Sequence, residues 1–207
     1  MTFSARALLF DLDGTVVSSL PAVDAAWSLW AESRGLVPAE ILPKIHGRRS
    51  LDSLRELVPH LDAEAENLRL RQLECSILDG VTEMPGAGDF LRSLPIDRFA
   101  YVTSGTQDVA TARLNYVGFP MPTVAVFGDD VPNGKPAPDP FALAANRLGM
   151  DPAECIAFED TLAGFASATA AGCRVITFGQ LVVPGALANL TTWTGTTFDR
   201  ETLVIPR

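Results

Sequence analysis

The sequence predicts an α/β fold: a parallel sheet covered on both faces by helices, with a helical domain inserted after the first strand. Three observations carry this. Short apolar runs recur that are continuous rather than alternating, the texture of strands buried on both faces. Helical stretches separate most of them, the order expected of a parallel sheet. Residues 18–84 break that alternation.

Residues 6–10 (RALLF) give the first strand. Leu20 to Arg34 predicts an amphipathic helix, with Pro21 in its first turn, Val23, Trp27 and Trp30 on one face and Gly35 ending it. That face is expected to pack within the insertion rather than hold a ligand. Residues 50–58 and 62–78 predict two more helices, the second with Leu68, Leu73 and Ile77 among its apolar positions, and no strand pattern interrupts the stretch. Pro85-Gly86 begins the return to the sheet. Strands follow at 99–103, 123–127, 155–158 and 174–178, with helices at 106–117, 138–148 and 161–171. The end, 180–207, is poorly patterned. The chain thus divides into a discontinuous core, 1–17 and 85–207, and an inserted helical domain, 18–84.

Composition bounds the function. The 207 residues are 47% hydrophobic and 20% charged, enough for a core without staples and too apolar for disorder. Sixteen Lys+Arg against 25 Asp+Glu give a formal net charge of -9, so no nucleic-acid or membrane partner is expected, and an anionic ligand needs a local positive site. Cys75, Cys155 and Cys173 are far apart and odd in number, which argues for reduced thiols and against a zinc site. ALLF is too short for a signal peptide and no stretch is long enough for a membrane span, so a cytoplasmic location is expected. A monomer is the default.

In a parallel sheet, sites lie beyond the carboxyl ends of the strands. Four strand ends carry the chemistry here. The first is Asp11-Leu12-Asp13-Gly14-Thr15, two carboxylates at i and i+2 before a glycine turn. The second, Thr103-Ser104-Gly105-Thr106, offers hydroxyls and free N–H groups for an anion, although such residues also serve as ordinary helix caps. The third sets Lys135 among prolines in GKPAPDPF, a fixed charge for phosphate or a solvated lysine in a stiff turn. The fourth, Phe158-Glu159-Asp160-Thr161, suits a hard divalent ion, or Asp160 serves as a helix cap. Together they supply a nucleophile, a proton donor, an anion clamp and metal ligands, the set that phosphoryl transfer through an aspartyl-phosphate requires.

With DLDGT, VTSGT, GKPAPDPF and FEDTLAG in this order over 11–164, the chain resembles the haloacid-dehalogenase (HAD) superfamily. The resemblance implies a Rossmann-like core with residues 18–84 as a helical cap. It implies Asp11 as the nucleophile and Asp13 as the acid and base, with the Asp13 backbone carbonyl also binding Mg²⁺. It further implies Ser104, Gly105 and Lys135 as phosphate-binding residues. Asp160, with Glu159 directly or through water, completes the metal set with Asp11 and Asp13. The acidic residue that many relatives carry a few positions after DxDGT is absent, since Val16-Val17-Ser18-Ser19 follow.

The cap segment His46-Gly47-Arg48-Arg49-Ser50-Leu51-Asp52-Ser53-Leu54 looks like the sugar- and polyol-phosphatase branch, which implies Arg48 and Arg49 as substrate residues for a small phosphorylated sugar or polyol. Arg49 is expected to matter more than Arg48. His46 is left outside the catalytic set, and His60 has no motif around it. The alternative is a β-phosphoglucomutase-like transferase, but the His expected after the Asp pair is Val23, and the arginines precede Ser50 rather than follow a Gly-x-Ser. A dehalogenase would have no need of Asp13. A non-catalytic binding module would be favoured by a missing nucleophile, lysine or metal ligand, and none is missing.

Overall fold

The computed structural model describes residues 1–206. Strand β1 (Thr2–Ser4) is peripheral, and the wholly buried β2 (Ala7–Phe10) follows. After β3 (Val17–Ser18) the chain enters helices α1 (Leu20–Ser33), α2 (Pro38–Ile41), α3 (Ser50–Leu57) and α4 (Ala63–Ser76), with a 3₁₀ turn at Leu42–Lys44. It returns through β4 (Thr82–Glu83) and α5 (Ala87–Ser93). The alternating part is β5 (Phe99–Val102), α6 (Gln107–Val117), β6 (Val124–Val126), α7 (Asp139–Arg147), β7 (Cys155–Glu159), α8 (Leu162–Ala170) and β8 (Arg174–Phe178). Strands β9 (Asn189–Leu190), β10 (Thr197–Phe198) and β11 (Thr202–Val204) close the chain.

The main sheet has the order β6-β5-β2-β7-β8-β9, with every pairing parallel. Side-chain alternation sends Leu8 and Phe10 to one face, against α5 and α6, and Ala7 and Leu9 to the other, against α7 and α8. Both faces are therefore covered, as the continuous apolar strands require. From β2 the chain builds outward to β5 and β6, then returns to the other side of β2 for β7. The strand order reverses at β2, and a crevice opens there beyond its carboxyl end.

The inserted helices bury a cluster of their own, including Trp27, Trp30, Ile41, Leu54 and Leu70. Trp27 and Trp30 meet edge to face at 5.6 Å, and Trp30 Nε1 donates to Glu66 at 2.9 Å. Contrary to the strand-free reading of 18–84, a two-residue antiparallel ladder pairs Val17 with Glu83 and Ser18 with Thr82 where the chain leaves and re-enters the core. Two residues are too few to show a period.

The poorly patterned end is ordered. Strand β9 extends the main sheet, and β10 and β11 form a small antiparallel sheet with β1. Trp193 is buried between Phe90 and Phe178, stacked at 5.3 and 5.2 Å, and its Nε1 donates to the Thr15 carbonyl at 2.9 Å. The tail thereby braces the loop that follows β2. No helix among the described residues is long and apolar enough to cross a membrane.

Candidate active site

Asp11 follows β2 directly, and its N–H donates to the Phe158 carbonyl of β7. Lys135 reaches it from the loop before α7. The lysine Nζ donates to Asp11 Oδ1 at 2.6 Å, to Glu159 Oε1 at 2.5 Å and to the Val102 carbonyl at 2.9 Å. One ammonium therefore joins the ends of β5, β2 and β7. Lys135 is buried, so it is not the solvated lysine of a surface turn. Burial works against its charge, but Asp11 and Glu159 outweigh it and hold the ammonium above the ordinary lysine range.

Asp160 closes the group. Gly14 has φ of 96°, and a Cβ there would lie 2.0 Å from Asp160 Oδ2. Only glycine satisfies both that conformation and that approach. Asp11, Glu159 and Asp160 each bring an oxygen within 4.8 Å of the others. Burial, then the neighbouring Glu159, pushes Asp160 up to about 7. Asp11 is raised well above the carboxylate range, by burial first and Glu159 second, against the pull of Lys135.

Buried, mutually repelling oxygen donors fit a hard divalent cation, which would relieve the repulsion. Glu159 has its oxygens largely committed. Oε1 takes Lys135, and Oε2 accepts from the Asp160 and Thr161 N–H groups and the Thr161 hydroxyl. The cap of α8 is Thr161, whose hydroxyl accepts from the Gly164 N–H, and not Asp160. Asp11 and Asp160 are thus the freer carboxylates.

Asp13 lies beside this group. Its Oδ1 accepts from Ser19 Oγ at 2.5 Å and from Arg113 Nη1 at 2.9 Å. Arg113 belongs to α6, and its Nη2 donates to Glu74 of α4 at 3.0 Å. Sequence reasoning missed both Arg113 and Glu74. The signal was their place on buried helix faces: Val109, Ala110, Arg113 and Leu114 on one, and Glu66, Leu70 and Glu74 on the other. Burial would depress the Arg113 pKa, but Asp13 and Glu74 raise it above the ordinary value. Burial raises Glu74, with Arg113 opposing.

Ser104 Oγ donates to the Gly47 carbonyl at 3.1 Å, and the Gly105 N–H donates to Thr103 Oγ1 at 3.0 Å. Both face a cavity of about 290 Å³ shared with Asp11, Asp13 and Asp160. The inserted segment walls it with Leu20, Val23, Trp27 and Ile45, and with His46 and Arg48. Val23 and Trp27 therefore serve packing and cavity at once. His46 Nε2 is 3.3 Å from Asp24. His60 is exposed and away from the cavity.

The two arginines separate. Arg48 lines the cavity and pairs with Glu56 at 2.7 Å. Arg49 does not line it. Its guanidinium pairs with Asp52 and donates to the Gly128, Val131 and Pro132 carbonyls after β6. A Cβ at Gly134 would come within 2.7 Å of its Nε. Arg49 fills a slot in the core and ties the inserted segment to the sheet.

A family model described as haloacid dehalogenase-like hydrolase matches residues 5–172. The chain is 46% identical over 176 residues to hexitol phosphatase A of Escherichia coli (strain K12), covering 83% of this chain and 82% of the relative. It is 33% identical to glycerol-1-phosphate phosphohydrolase 2 of Saccharomyces cerevisiae, covering 85% and 75%. The crystal structure of CbbY from Rhodobacter sphaeroides in complex with phosphate superposes with a TM-score of 0.81 at 21% identity, covering 92% and 96%, a likeness of fold.

The raised Asp160 sets a testable pH dependence. In the unfolded chain this carboxyl titrates near 3.8 and in the folded chain near 7. Between those values the folded state alone holds the proton, so this group lowers stability as pH rises through the interval and no further above it. Mg²⁺ should therefore raise the melting temperature more at about pH 8 than at about pH 5. Asp160→Asn should stabilise the metal-free protein at the higher pH and abolish most of the Mg²⁺ response. An unchanged Mg²⁺ response in that variant, read by calorimetry, would contradict the assignment.

Proposed function

The chain belongs to the haloacid dehalogenase-like hydrolases, and on that premise we propose that it hydrolyses a small sugar or polyol phosphate through an aspartyl-phosphate at Asp11. The observation that carries the reading is a buried carboxylate, Asp11, neutralised by Lys135 and set beside a second carboxylate, Asp13, at one sheet edge. The likeness to hexitol phosphatase A supports the substrate class.

Each residue has a role that follows from its place. Asp11 attacks phosphorus, and the bond from phosphorus to the ester oxygen breaks. Asp13 gives that oxygen its proton and leaves as a carboxylate. It then takes a proton from water, which attacks the aspartyl-phosphate and releases inorganic phosphate. Lys135 removes the repulsion between Asp11 and a dianionic ester. Ser104 and Gly105 exchange their present partners, Gly47 and Thr103, for phosphate oxygens. Asp11 and Asp160, with the Asp13 carbonyl, would hold Mg²⁺, whose charge when bound offsets that of the phosphoryl oxygens. Glu159 positions Lys135 and the start of α8. Residues 18–84 act as a cap, and residues 1–17 with 85–207 as the core.

Asp11→Asn should abolish phosphate release from 2-deoxyglucose 6-phosphate while leaving the fold intact, because an amide forms no acyl-phosphate. Phosphate release at the wild-type rate would refute covalent catalysis by Asp11. Conversion of the wild-type substrate to an isomeric sugar phosphate without phosphate release would favour the mutase alternative.

Arg48 and Arg49 should behave differently. Losing a charged contact to substrate costs about 1.5–3 kcal/mol, or about ten- to a hundredfold in kcat/KM. Arg48→Ala should show that loss on the sugar phosphate and little on p-nitrophenyl phosphate, which has no hydroxyls to bind. Arg49→Ala should lower both substrates alike, because the whole cap loses its anchor. A loss confined to the sugar phosphate in Arg49→Ala would restore Arg49 as a substrate residue.

A further inference from the structure

Asp13 has two oxygens, and the structure treats them differently. Oδ1 accepts from two donors, Ser19 Oγ and Arg113 Nη1. Oδ2 makes no hydrogen bond to protein, and it lies 4.0 Å from where a Cβ on Gly105 would stand, on the phosphate side of the cavity. Arg113 is itself 3% exposed, and its second fork arm donates to Glu74 of α4. Its Nε is buried without a partner. A guanidinium is seldom buried for packing alone, and this one stays charged because two carboxylates surround it.

We propose that Arg113, held by Glu74 of the inserted segment, is a positioning residue that fixes Oδ1 of Asp13 and leaves Oδ2 to exchange protons with ester oxygen and water. The inference rests on Asp13 being the acid and base. Its geometry is cooperative between the two parts of the chain. Asp13 belongs to the sheet edge, Arg113 to α6 and Glu74 to α4, so the fork is complete only when the inserted segment is seated on the sheet. A second pair between the same helices, Arg71 to Asp108 at 2.9 Å, holds α4 against α6 at that place. A planar guanidinium can bond two carboxylates in fixed directions, which an ammonium cannot. The carboxylate that must serve both half-reactions is thus aimed once, and it stays aimed while its proton moves.

The test is acid-quenched single-turnover kinetics with p-nitrophenyl phosphate and 2-deoxyglucose 6-phosphate, on Arg113→Gln, Arg113→Lys, Glu74→Gln, Asp13→Asn and the double variant Asp13→Asn with Arg113→Gln. p-Nitrophenolate leaves without a proton, so phosphoenzyme forms from that ester even when Asp13 is misaimed. Its hydrolysis then lags, because water still needs the base. Arg113→Gln should accumulate phosphoenzyme from p-nitrophenyl phosphate and lose on the order of 100-fold in kcat on the sugar phosphate, with KM within about twofold. Glu74→Gln should show the same pattern at about tenfold. Arg113→Lys keeps the buried charge, so it reports if the glutamine variant does not fold, and it too should accumulate phosphoenzyme.

In the double variant, Arg113→Gln should change neither phosphoenzyme step by more than about twofold beyond Asp13→Asn. Multiplying losses there, or a raised KM with kcat unchanged in Arg113→Gln, would show that Arg113 acts on substrate directly and overturn the proposal. So would wild-type kinetics in Glu74→Gln and Arg113→Lys. If Asp13→Asn itself accumulates no phosphoenzyme, the role of Asp13 falls and the proposal falls with it. If Asp13→Asn accumulates it and the Arg113 variants do not, the proposal alone fails.

Discussion

The site depends on one buried ammonium. Lys135 is held by Asp11, Glu159 and the Val102 carbonyl, the ends of three adjacent strands. Without it, Asp11, Glu159 and Asp160 would face one another within 4.8 Å with no cation between them. Removing one partner of a buried ion pair typically costs about 3–5 kcal/mol, since the other charge is left uncompensated. Much of the local architecture follows from that constraint. Gly14 and Gly164 leave room for Asp160 and Glu159, where a Cβ would stand 2.0 and 1.8 Å from their oxygens. Phe141 places its ring 5.2 Å from the ammonium.

Even so, the charges do not balance. Asp11, Asp13, Glu74, Glu159 and Asp160 confront two buried cations, Lys135 and Arg113. Acidic groups therefore outnumber the buried cations, and burial raises Asp11, Glu74 and Asp160 in response. A divalent cation held there would relieve the burial and repulsion that raise Asp11 and Asp160. The two buried cations do different work. Lys135 sits on Asp11, while Arg113 sits on Asp13 and reaches across to the inserted helices.

What the sequence made legible follows from chemistry that needs adjacent residues. The strand ends at Asp11, Thr103 and Glu159 could be read because each is a short motif after a continuous apolar run, and the structure brings all three to one edge. Arg113 and Glu74 were not legible in this way, since neither has a local motif and each looks like one more charge on a helix. Only their register with buried neighbours such as Val109, Leu114 and Leu70 betrays them. Arg49 is the opposite case. A local motif pointed to a ligand, but besides Asp52 its guanidinium has carbonyl partners about 80 residues away, on the loop after β6. The tail was opaque because its strands are two or three residues long and Trp193 acts through a distant pocket of aromatic rings.

The most direct test is the rate of phosphoryl transfer to Asp11 in Lys135→Met, measured in a single turnover with p-nitrophenyl phosphate. That ester needs no proton on leaving, so the rate isolates the encounter between carboxylate and phosphate. Loss of the ammonium should slow transfer on the order of 100- to 1000-fold, the scale for removing one preorganised charge from a water-excluded site. Transfer within about twofold of wild type would mean that the buried ammonium holds the strands together and does nothing for the reaction.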